Sequence, residues 1–212
     1  MSDKFKNSNG RVIVENLIAM MKENRAYLSE VDGAIGDGDH GINMSKGFTM
    51  AGERIAEGAD FATAMKTLGR TLLMEIGGSM GPLYGGFFKA MSKEVEGAQE
   101  IDAPAFGRML EAGYAEIRKL GDAKVGDKTL VDALDPAVQA FQEAVKAGRG
   151  FDEALEEMSN AAEAGKDSTK DMVAKVGRSA RLGERSRGVL DAGATSCYLI
   201  LSSMAATIQS LL

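Results

Sequence analysis

The sequence predicts an all-α protein, a closed up-and-down antiparallel barrel or bundle of about eight helices. Helix-forming residues such as Ala, Met, Leu, Glu and Lys are abundant, while the chain has only 3 prolines and no tryptophan. Apolar residues recur at spacings of three and four in every segment, and the apolar–polar alternation typical of strands does not persist. Short connections between such segments favour antiparallel neighbours.

The individual helices follow in order from this spacing. Residues 11–29 place apolar side chains such as Ile13 and Leu28 on one stripe of a helix. Asp60 is a candidate N-cap for a further amphipathic stretch that begins at Phe61. Other predicted helices cover 42–57, 83–95, 104–120, 129–147, 152–172 and 194–211. The last of them is apolar around most of its circumference and is expected to pack between the others.

Chain length and net charge limit the classes of protein. A chain of 212 residues is long enough for a substantial core, so we expect one domain over residues 1–212, with residues 1–9 as a flexible tail. The formal net charge is -6 and no basic run occurs. This argues against nucleic acid or an acidic membrane surface as a partner.

The cysteine content and the lack of sorting signals predict the location. A single cysteine, Cys197, excludes an internal disulfide and fits a reducing compartment. The polar start MSDKFKNSNG lacks the apolar core of a signal peptide. No stretch approaches the ~20 apolar residues of a membrane span. A cytoplasmic protein is the simplest expectation.

Four connections between the predicted helices are unusually rich in glycine or in charge. They read DGAIGDGDHG, GGSMGPLYGG, LGDAKVGDKT and GRSARLGERSRGVLDAGATS. Bundles rarely need such connections, and loops held on a rigid scaffold frequently carry binding groups. We therefore expect the chemistry of the protein in these four loops.

The first loop contains GDGDHG, which has the letters of a dinucleotide-binding fingerprint but not its context. That fingerprint follows a strand, whereas the segment before this loop is predicted to be helical. An EF-hand is excluded because Ile42 and Phe48 stand where Gly and Glu are needed. The loop supplies three carboxylates, Asp32, Asp37 and Asp39, which suit a Mg²⁺ ion shared with phosphates. A turn that uses Asp and Gly for local hydrogen bonds is the alternative.

The other candidate groups each have more than one interpretation. His40, the only histidine, could act as a general base, contact a phosphate or be incidental. The loop GGSMGPLYGG could hold an anion with its amides or bring two helices close together. Thr129 could contact a ligand or cap a helix. The arginines of the last loop, beginning with Arg178, could form a lid or an exposed salt-bridged surface. Together, the four loops favour a Mg²⁺-nucleotide site at one end of the bundle.

The same loops carry a resemblance to a known family. The stretches IGDGDHGINMSKGF, GGSMGPLYGGFF, GDKTLVDALDPAV and LGERSRGVLDAGATS resemble the nucleotide-binding L subunit of dihydroxyacetone kinase in order and spacing. This family also occurs as the C-terminal domain of single-chain kinases, and the resemblance spans nearly the whole chain. It implies a closed barrel of eight antiparallel helices that holds ADP or ATP with two Mg²⁺ ions.

The resemblance also implies roles for individual residues. The family's metal-binding aspartates correspond to Asp32, Asp37 and Asp39, and its catalytic lid arginine corresponds to Arg178. His40 corresponds to a residue of the nucleotide-contacting turn and is also a catalytic candidate. The remaining nucleotide-binding positions implied are Gly41, Ile42, Asn43, Gly78, Ser79, Met80, Gly121, Thr129, Leu130, Asp191, Ala192 and Gly193.

Four departures from the family pattern bear on the site and on the substrate. Met80 stands where the family commonly has Ser, so a hydroxyl expected near the phosphates is displaced or missing. In the last loop, Arg181 replaces Tyr, Val189 and Leu190 replace His-Gln, and Ala192 replaces Pro. The nucleotide site is expected to survive these changes. The acceptor, dihydroxyacetone or a related keto-sugar such as erythrulose, stays open.

The resemblance implies a kinase subunit that transfers the terminal phosphoryl group of its nucleotide to dihydroxyacetone or a related keto-sugar. The sugar is held on a separate K subunit, without which the chain is expected to be inactive. A stand-alone chain favours bound ADP that is rephosphorylated by a phosphotransferase-system protein. The alternatives are an ATP-exchanging keto-sugar kinase subunit, a nucleotide-stabilised regulatory module that docks another protein, and a scaffold without ligand. A homodimer is also left open.

Overall fold

The computed structural model describes residues 3–212, and its helical content confirms the predicted all-α class. The α-helices are α1 (Arg11–Glu23), α2 (Arg25–Gly33), α3 (His40–Arg54), α4 (Phe61–Glu75), α5 (Met80–Glu94), α6 (Ala103–Leu120), α7 (Val131–Lys146), α8 (Phe151–Ser168) and α9 (Ala192–Leu211). Two short strands are β1 (Lys4–Lys6) and β2 (Glu100–Asp102). Short 3-10 segments occur at Asn7–Asn9, Thr169–Asp171 and Ser179–Ser186.

The helices close into a ring around one apolar core. From α3 to α9 each helix packs on the next, and α1 contacts both α9 and α3, which completes the circle. Helix α2 lies beside α3 and α9. Four rings at the core, those of Phe5, Phe106, Phe141 and Phe151, contact one another in series. Among residues 3–212, no helix combines the length and the apolar character needed to cross a bilayer.

Alternate connections meet at the same end of the ring. The α3–α4 and α5–α6 connections are joined through Asn7, whose side-chain amide donates to Asp60 Oδ2 at 3.2 Å and to the Ala98 carbonyl at 2.8 Å. The α2–α3, α4–α5, α6–α7 and α8–α9 connections instead line one large cavity. The up-and-down course of the chain therefore brings the four glycine-rich or charged loops together.

The N-terminal segment is not the flexible tail that we expected over residues 1–9. Strand β1 pairs antiparallel with β2, with Phe5 opposite Ile101. The Phe5 side chain is only 2% exposed, because it packs edge-on against Phe61 of α4. The correction concerns residues 4–9, since residues 1 and 2 lie outside the described part of the chain.

Several helices have other bounds than the spacing predicted. The stretch 11–29 forms two helices, because the chain turns at Asn24, whose side-chain amide donates to the Met20 carbonyl at 2.9 Å. Helix α3 already begins at His40 and α5 at Met80, so both loops run directly into a helix start. Periodicity detects the helices better than their ends, since end positions depend on caps and contacts.

Candidate functional site

A cavity of about 860 Å³ opens where the four loops meet. Its lining combines the acidic α2–α3 loop, the glycine-rich α4–α5 loop and Arg178 of the α8–α9 connection. Apolar side chains complete it, among them Leu83, Ile117, Leu120, Leu130 and Val176. A concave site with apolar walls and a few convergent polar groups is typical of a small-molecule site.

Three aspartates converge on one side of the cavity. Carboxylate oxygens of Asp32, Asp37 and Asp39 all lie within 4.8 Å of one another. Asp32 lies near the end of α2, and the other two follow in the loop, which turns at Gly38 with φ +76°. Clustered carboxylates repel one another unless a cation lies between them, and hard oxygen ligands suit Mg²⁺. These three residues could hold a divalent metal ion.

Two glycines let this loop close tightly. A Cβ at Gly36 would clash with the Asp32 carboxylate, and a Cβ at Gly41 would clash with the carbonyl oxygen of Arg25. Gly41 therefore allows α3 to approach α2 closely. The approach places His40 beside the acidic cluster, where its backbone N–H donates to Asp32 Oδ2 at 3.3 Å.

The imidazole of His40 belongs to a buried hydrogen-bonded chain. Its Nε2 lies 2.9 Å from Ser196 Oγ. The Tyr84 hydroxyl lies 2.6 Å from the same oxygen and donates to the Gly193 carbonyl at 3.0 Å. Burial lowers the pKa of His40 to about 4, against the opposing attraction of Asp32. The ring is therefore neutral at pH 7 and acts as a hydrogen-bonding group rather than as a cation.

The glycine-rich loop divides into an open tip and a packed stem. A Cβ at Gly77 or Gly78 would meet nothing within 4 Å, and both residues line the cavity. At Gly81 and Gly85 a Cβ would overlap the backbone of α4 or of its C-cap. Ser79, the N-cap of α5, makes no side-chain capping hydrogen bond, and amides at an uncapped helix start attract anions. Different glycines of this loop thus serve helix packing and the cavity.

The α6–α7 connection ends in a tight turn before α7. The Asp132 carboxylate accepts from the backbone N–H of Gly126 at 2.5 Å and of Thr129 at 2.7 Å. Thr129 Oγ1 accepts from the N–H of Val131, the first residue of α7, at 3.2 Å, and the residue also lines the cavity; the N-cap itself is Leu130, without a side-chain capping bond. Lys128, the residue before Thr129, has φ +63°, the only positive φ of a non-glycine residue in the described chain. Its side chain is 1% exposed.

Arg178 reaches the acidic cluster from the α8–α9 connection. It forms an ion pair with Asp37, and the two side chains are 64% and 45% exposed. No other arginine of this connection lines the cavity within the described chain. Arg187 pairs instead with Glu184 at 3.1 Å on the surface. The interpretation as an exposed salt-bridged surface therefore applies to Arg187, while the lid stays a prediction for Arg178.

Most of the predicted site residues line the cavity, namely Asp32, Asp37, Asp39, His40, Asn43, Gly78, Ser79, Met80, Gly121, Thr129, Leu130, Arg178, Asp191, Ala192 and Gly193. The structure does not bring Gly41 and Ile42 to it. Gly41 is buried against α2, and Ile42 is 46% exposed on α3. Consecutive helical positions differ by about 100°, so a helix that turns His40 and Asn43 to the cavity turns the two residues between them away.

The sequence analysis missed several cavity residues. Lys128 lies inside a quoted motif, but no sequence pattern indicates that a charged side chain is buried. Tyr84 could have been noticed as the tyrosine that follows the glycine-rich tip, although an aromatic residue in a helix is usually core. Ile117 and Leu120 continue the apolar stripe of α6, and hydrophobicity alone does not separate a cavity wall from a core.

Comparison with known proteins adds relatives to this geometry. The family described as the DAK2 domain matches residues 34–206. The chain is 40% identical over 190 residues to the ADP-binding subunit DhaL of PEP-dependent dihydroxyacetone kinase 1 from Listeria innocua, covering 88% of this chain and 89% of the relative. It is 37% identical over 182 residues to the ADP-binding subunit DhaL of the PTS-dependent dihydroxyacetone kinase of Lactococcus lactis, covering 84% and 86%.

A solved structure has the same fold. The dihydroxyacetone kinase from C. freundii in complex with AMP-PNP and Mg²⁺ matches with a TM-score of 0.69 at 25% sequence identity. The match covers 95% of this chain and 34% of that kinase, so the chain spans about a third of the solved protein. With the family match over residues 34–206 and the 40% identity to a subunit of similar length, the chain belongs to the DAK2 domain family.

Proposed function

We propose that this chain is the ADP- or ATP-binding subunit of a dihydroxyacetone-type kinase, with residues 1–212 as one nucleotide-binding domain. The observation that carries the proposal is the convergence of three carboxylates within 4.8 Å at a cavity of about 860 Å³. Relatives named as ADP-binding subunits of such kinases support it. The related C. freundii kinase in complex with AMP-PNP and Mg²⁺ supports it further.

The cavity offers a separate group for each part of a Mg²⁺-nucleotide. Asp32, Asp37 and Asp39 would hold the metal, two ions by the family pattern, and bound Mg²⁺ would neutralise phosphate charge. The open tip at Gly77 and Gly78 leaves room for phosphates to approach the backbone. The apolar wall would receive the base.

Two residues keep a proposed catalytic role. Arg178 pairs with Asp37 at the cavity and has an exposed side chain, so it could turn to a transferring phosphoryl group and stabilise its charge. His40 is neutral and held by Ser196, which suits it to orient groups of the site through hydrogen bonds. Neither residue needs to carry the acceptor.

The acceptor and the phosphoryl donor are expected to come from other proteins. The relatives are named as subunits, which supports a separate K subunit that binds dihydroxyacetone or a related keto-sugar. Their names also specify PEP or PTS dependence, which supports rephosphorylation of bound ADP by a phosphotransferase-system protein. The isolated chain should not phosphorylate keto-sugars.

The first experiment measures what the purified protein holds. The protein is isolated without added nucleotide and denatured, and released adenine nucleotide and magnesium are quantified by chromatography and elemental analysis. Near-stoichiometric ADP with magnesium supports a retained cofactor. A protein that is empty but binds ATP with Mg²⁺ favours the ATP-exchanging alternative. If neither nucleotide binds, the proposal is wrong and a regulatory module or scaffold remains.

A matched pair of variants tests the metal site. Asp37→Asn removes one carboxylate of the cluster, and we expect it to lose magnesium and nucleotide while circular dichroism still reports a helical fold. Asp152→Asn removes the same charge from the exposed start of α8, at a residue that does not line the cavity, and should retain both magnesium and nucleotide. Equal nucleotide content in the two variants would contradict the metal assignment.

A further inference from the structure

The α8–α9 connection has two ends that meet at one buried ammonium group. We call residues 172–190 the lid segment; it begins after the 3-10 segment Thr169–Asp171 and ends just before Asp191. Lys128 Nζ donates to the Thr169 carbonyl at 2.6 Å and lies 3.4 Å from the Met172 carbonyl at the start of the lid segment. The same nitrogen donates to the Val189 carbonyl at 2.6 Å, at the end of the segment.

Other contacts also join the two ends, among them a hydrogen bond from the Arg187 guanidinium to the Asp171 carbonyl. The Gly188 N–H donates to the Lys170 carbonyl at 2.7 Å, and the Asp191 N–H donates to Thr169 Oγ1 at 3.0 Å. Between these ends, Ala174 and Ser186 are buried, but the charged residues of the segment, including Arg178, are exposed. Between its ends, the segment is held by the ion pair of Arg178 with Asp37 and by Lys175, which pairs with Asp127 at 3.3 Å, and these exposed contacts leave the buried ends as its best-shielded attachment.

The position of Lys128 is costly in two ways. Its side chain is 1% exposed, and burial lowers its pKa, which means that the protein holds a charge in a poorly hydrated place. Its backbone has φ +63°, a conformation that a lysine rarely adopts. Such a combination persists where surrounding interactions compensate for it, and here these are the carbonyl groups from both ends of the lid segment.

We propose that Lys128 is a positioning residue whose ammonium group fixes the lid segment in register over the cavity. The inference rests on the proposed nucleotide site, because the turn that carries Lys128 also supplies Thr129 and Leu130 to the cavity lining. One side chain thus joins the lid segment to the loop beside the ligand. If the ammonium group is removed, the carbonyl groups of Thr169 and Val189 each lose this hydrogen-bond donor, and the two ends of the lid segment could separate.

The test is limited trypsin digestion of the nucleotide-free protein, with cleavage sites assigned by mass spectrometry. The lid segment contains exposed trypsin sites, Lys175, Arg178, Arg181, Arg185 and Arg187. Lys128→Met keeps the length of the side chain but not its charge, and we expect cleavage within 172–190 to be at least about tenfold faster.

A second buried lysine provides the control. Lys166 of α8 is 9% exposed; its ammonium group pairs with Asp167 at 3.1 Å and lies 4.7 Å from the centre of the Tyr198 ring, and both partners lie outside the lid segment. Lys166→Met removes a comparable charge and should leave cleavage within 172–190 at the wild-type rate. Lys128→Gly also removes the ammonium group, but glycine adopts the positive φ of this position without strain. It should therefore show the same faster cleavage, and it replaces Lys128→Met in the test if the methionine variant does not fold. Wild-type cleavage rates in a folded Lys128 variant, or equal acceleration in Lys166→Met, would overturn the inference.

A nucleotide readout distinguishes this inference from the proposed function. With Mg²⁺-ADP as the probe, we expect about tenfold faster release from Lys128→Met than from Lys166→Met. If the wild-type protein binds no Mg²⁺-ADP, the proposed function fails, while the digestion of the nucleotide-free protein still decides the role of Lys128. Equal release rates from the two variants would refute the positioning role, because a general loss of stability affects both.

Discussion

One carboxylate, that of Asp191, should make the stability of the protein fall as the pH rises. Asp191 caps α9, accepting from the Ala194 N–H at 2.7 Å, and lies beside the cavity. Burial raises its pKa from the ordinary value of 3.8 to about 6, although backbone hydrogen bonds and Lys128 oppose the shift. The folded protein therefore binds this proton more tightly than the unfolded chain does. The stabilisation is complete below pH 3.8 and is lost as the pH rises through 6.

The size of the effect follows from the shift of about two pH units. At about 1.4 kcal/mol per unit, ionisation of Asp191 costs the fold at most about 3 kcal/mol. This is an upper bound, because the side chain borders the cavity and is partly solvated. About 2 kcal/mol of this loss of stability is expected between pH 4.5 and pH 7.

Asp191→Asn isolates this contribution, since an amide oxygen still accepts from the Ala194 N–H but does not ionise. Urea unfolding followed by circular dichroism, without nucleotide and with a chelator, gives the free energy of unfolding of both proteins between pH 4.5 and 7.5. We expect the wild-type value minus the variant value to decrease by about 1–2 kcal/mol over this range. A difference that stays constant or increases with pH would refute the reasoning, because titrating groups that do not interact with Asp191 cancel in it, and the pKa values of Lys128 and Tyr84, which do interact with it, depart from ordinary values of 10.5 and 10.0, above this pH range.

Three further substitutions test packing and the hydrogen-bonded chain, each by urea unfolding. Gly165→Ala should destabilise the fold by about 1–3 kcal/mol or more, because its Cβ would clash with the Asp132 carbonyl; an unchanged midpoint would mean that α7 and α8 can separate without cost. Tyr84→Phe removes the 2.6 Å hydrogen bond to Ser196 and should cost about 1–2 kcal/mol, and a stability equal to that of the wild type would show that the hydroxyl is dispensable. Phe106→Ala should cost about 3–5 kcal/mol, and a loss below about 1 kcal/mol would contradict its place in the core.

Local sequence patterns were enough for the fold class and for the loops that matter. The spacing of apolar residues repeats every three to four positions because one face of each helix must be buried, so this signal is present in any window of the chain. The aspartates and glycines of the α2–α3 loop are recognised for a similar reason, because they lie within a few residues of one another in the sequence. The flexible tail was the failure, because the burial of Phe5 depends on a strand about 95 residues away.

The sequence by itself determined an all-α chain whose unusual loops carry the polar groups of a site. Only the tertiary structure decided which of these groups meet. It placed His40 on the cavity and turned Ile42 away, because helical rotation depends on the close approach of α3 to α2 at Gly41. It also buried Lys128 among carbonyl groups from residues about 40 to 60 positions away. Contacts of this range arise only when the ring of helices closes, and no pattern of neighbouring residues encodes them.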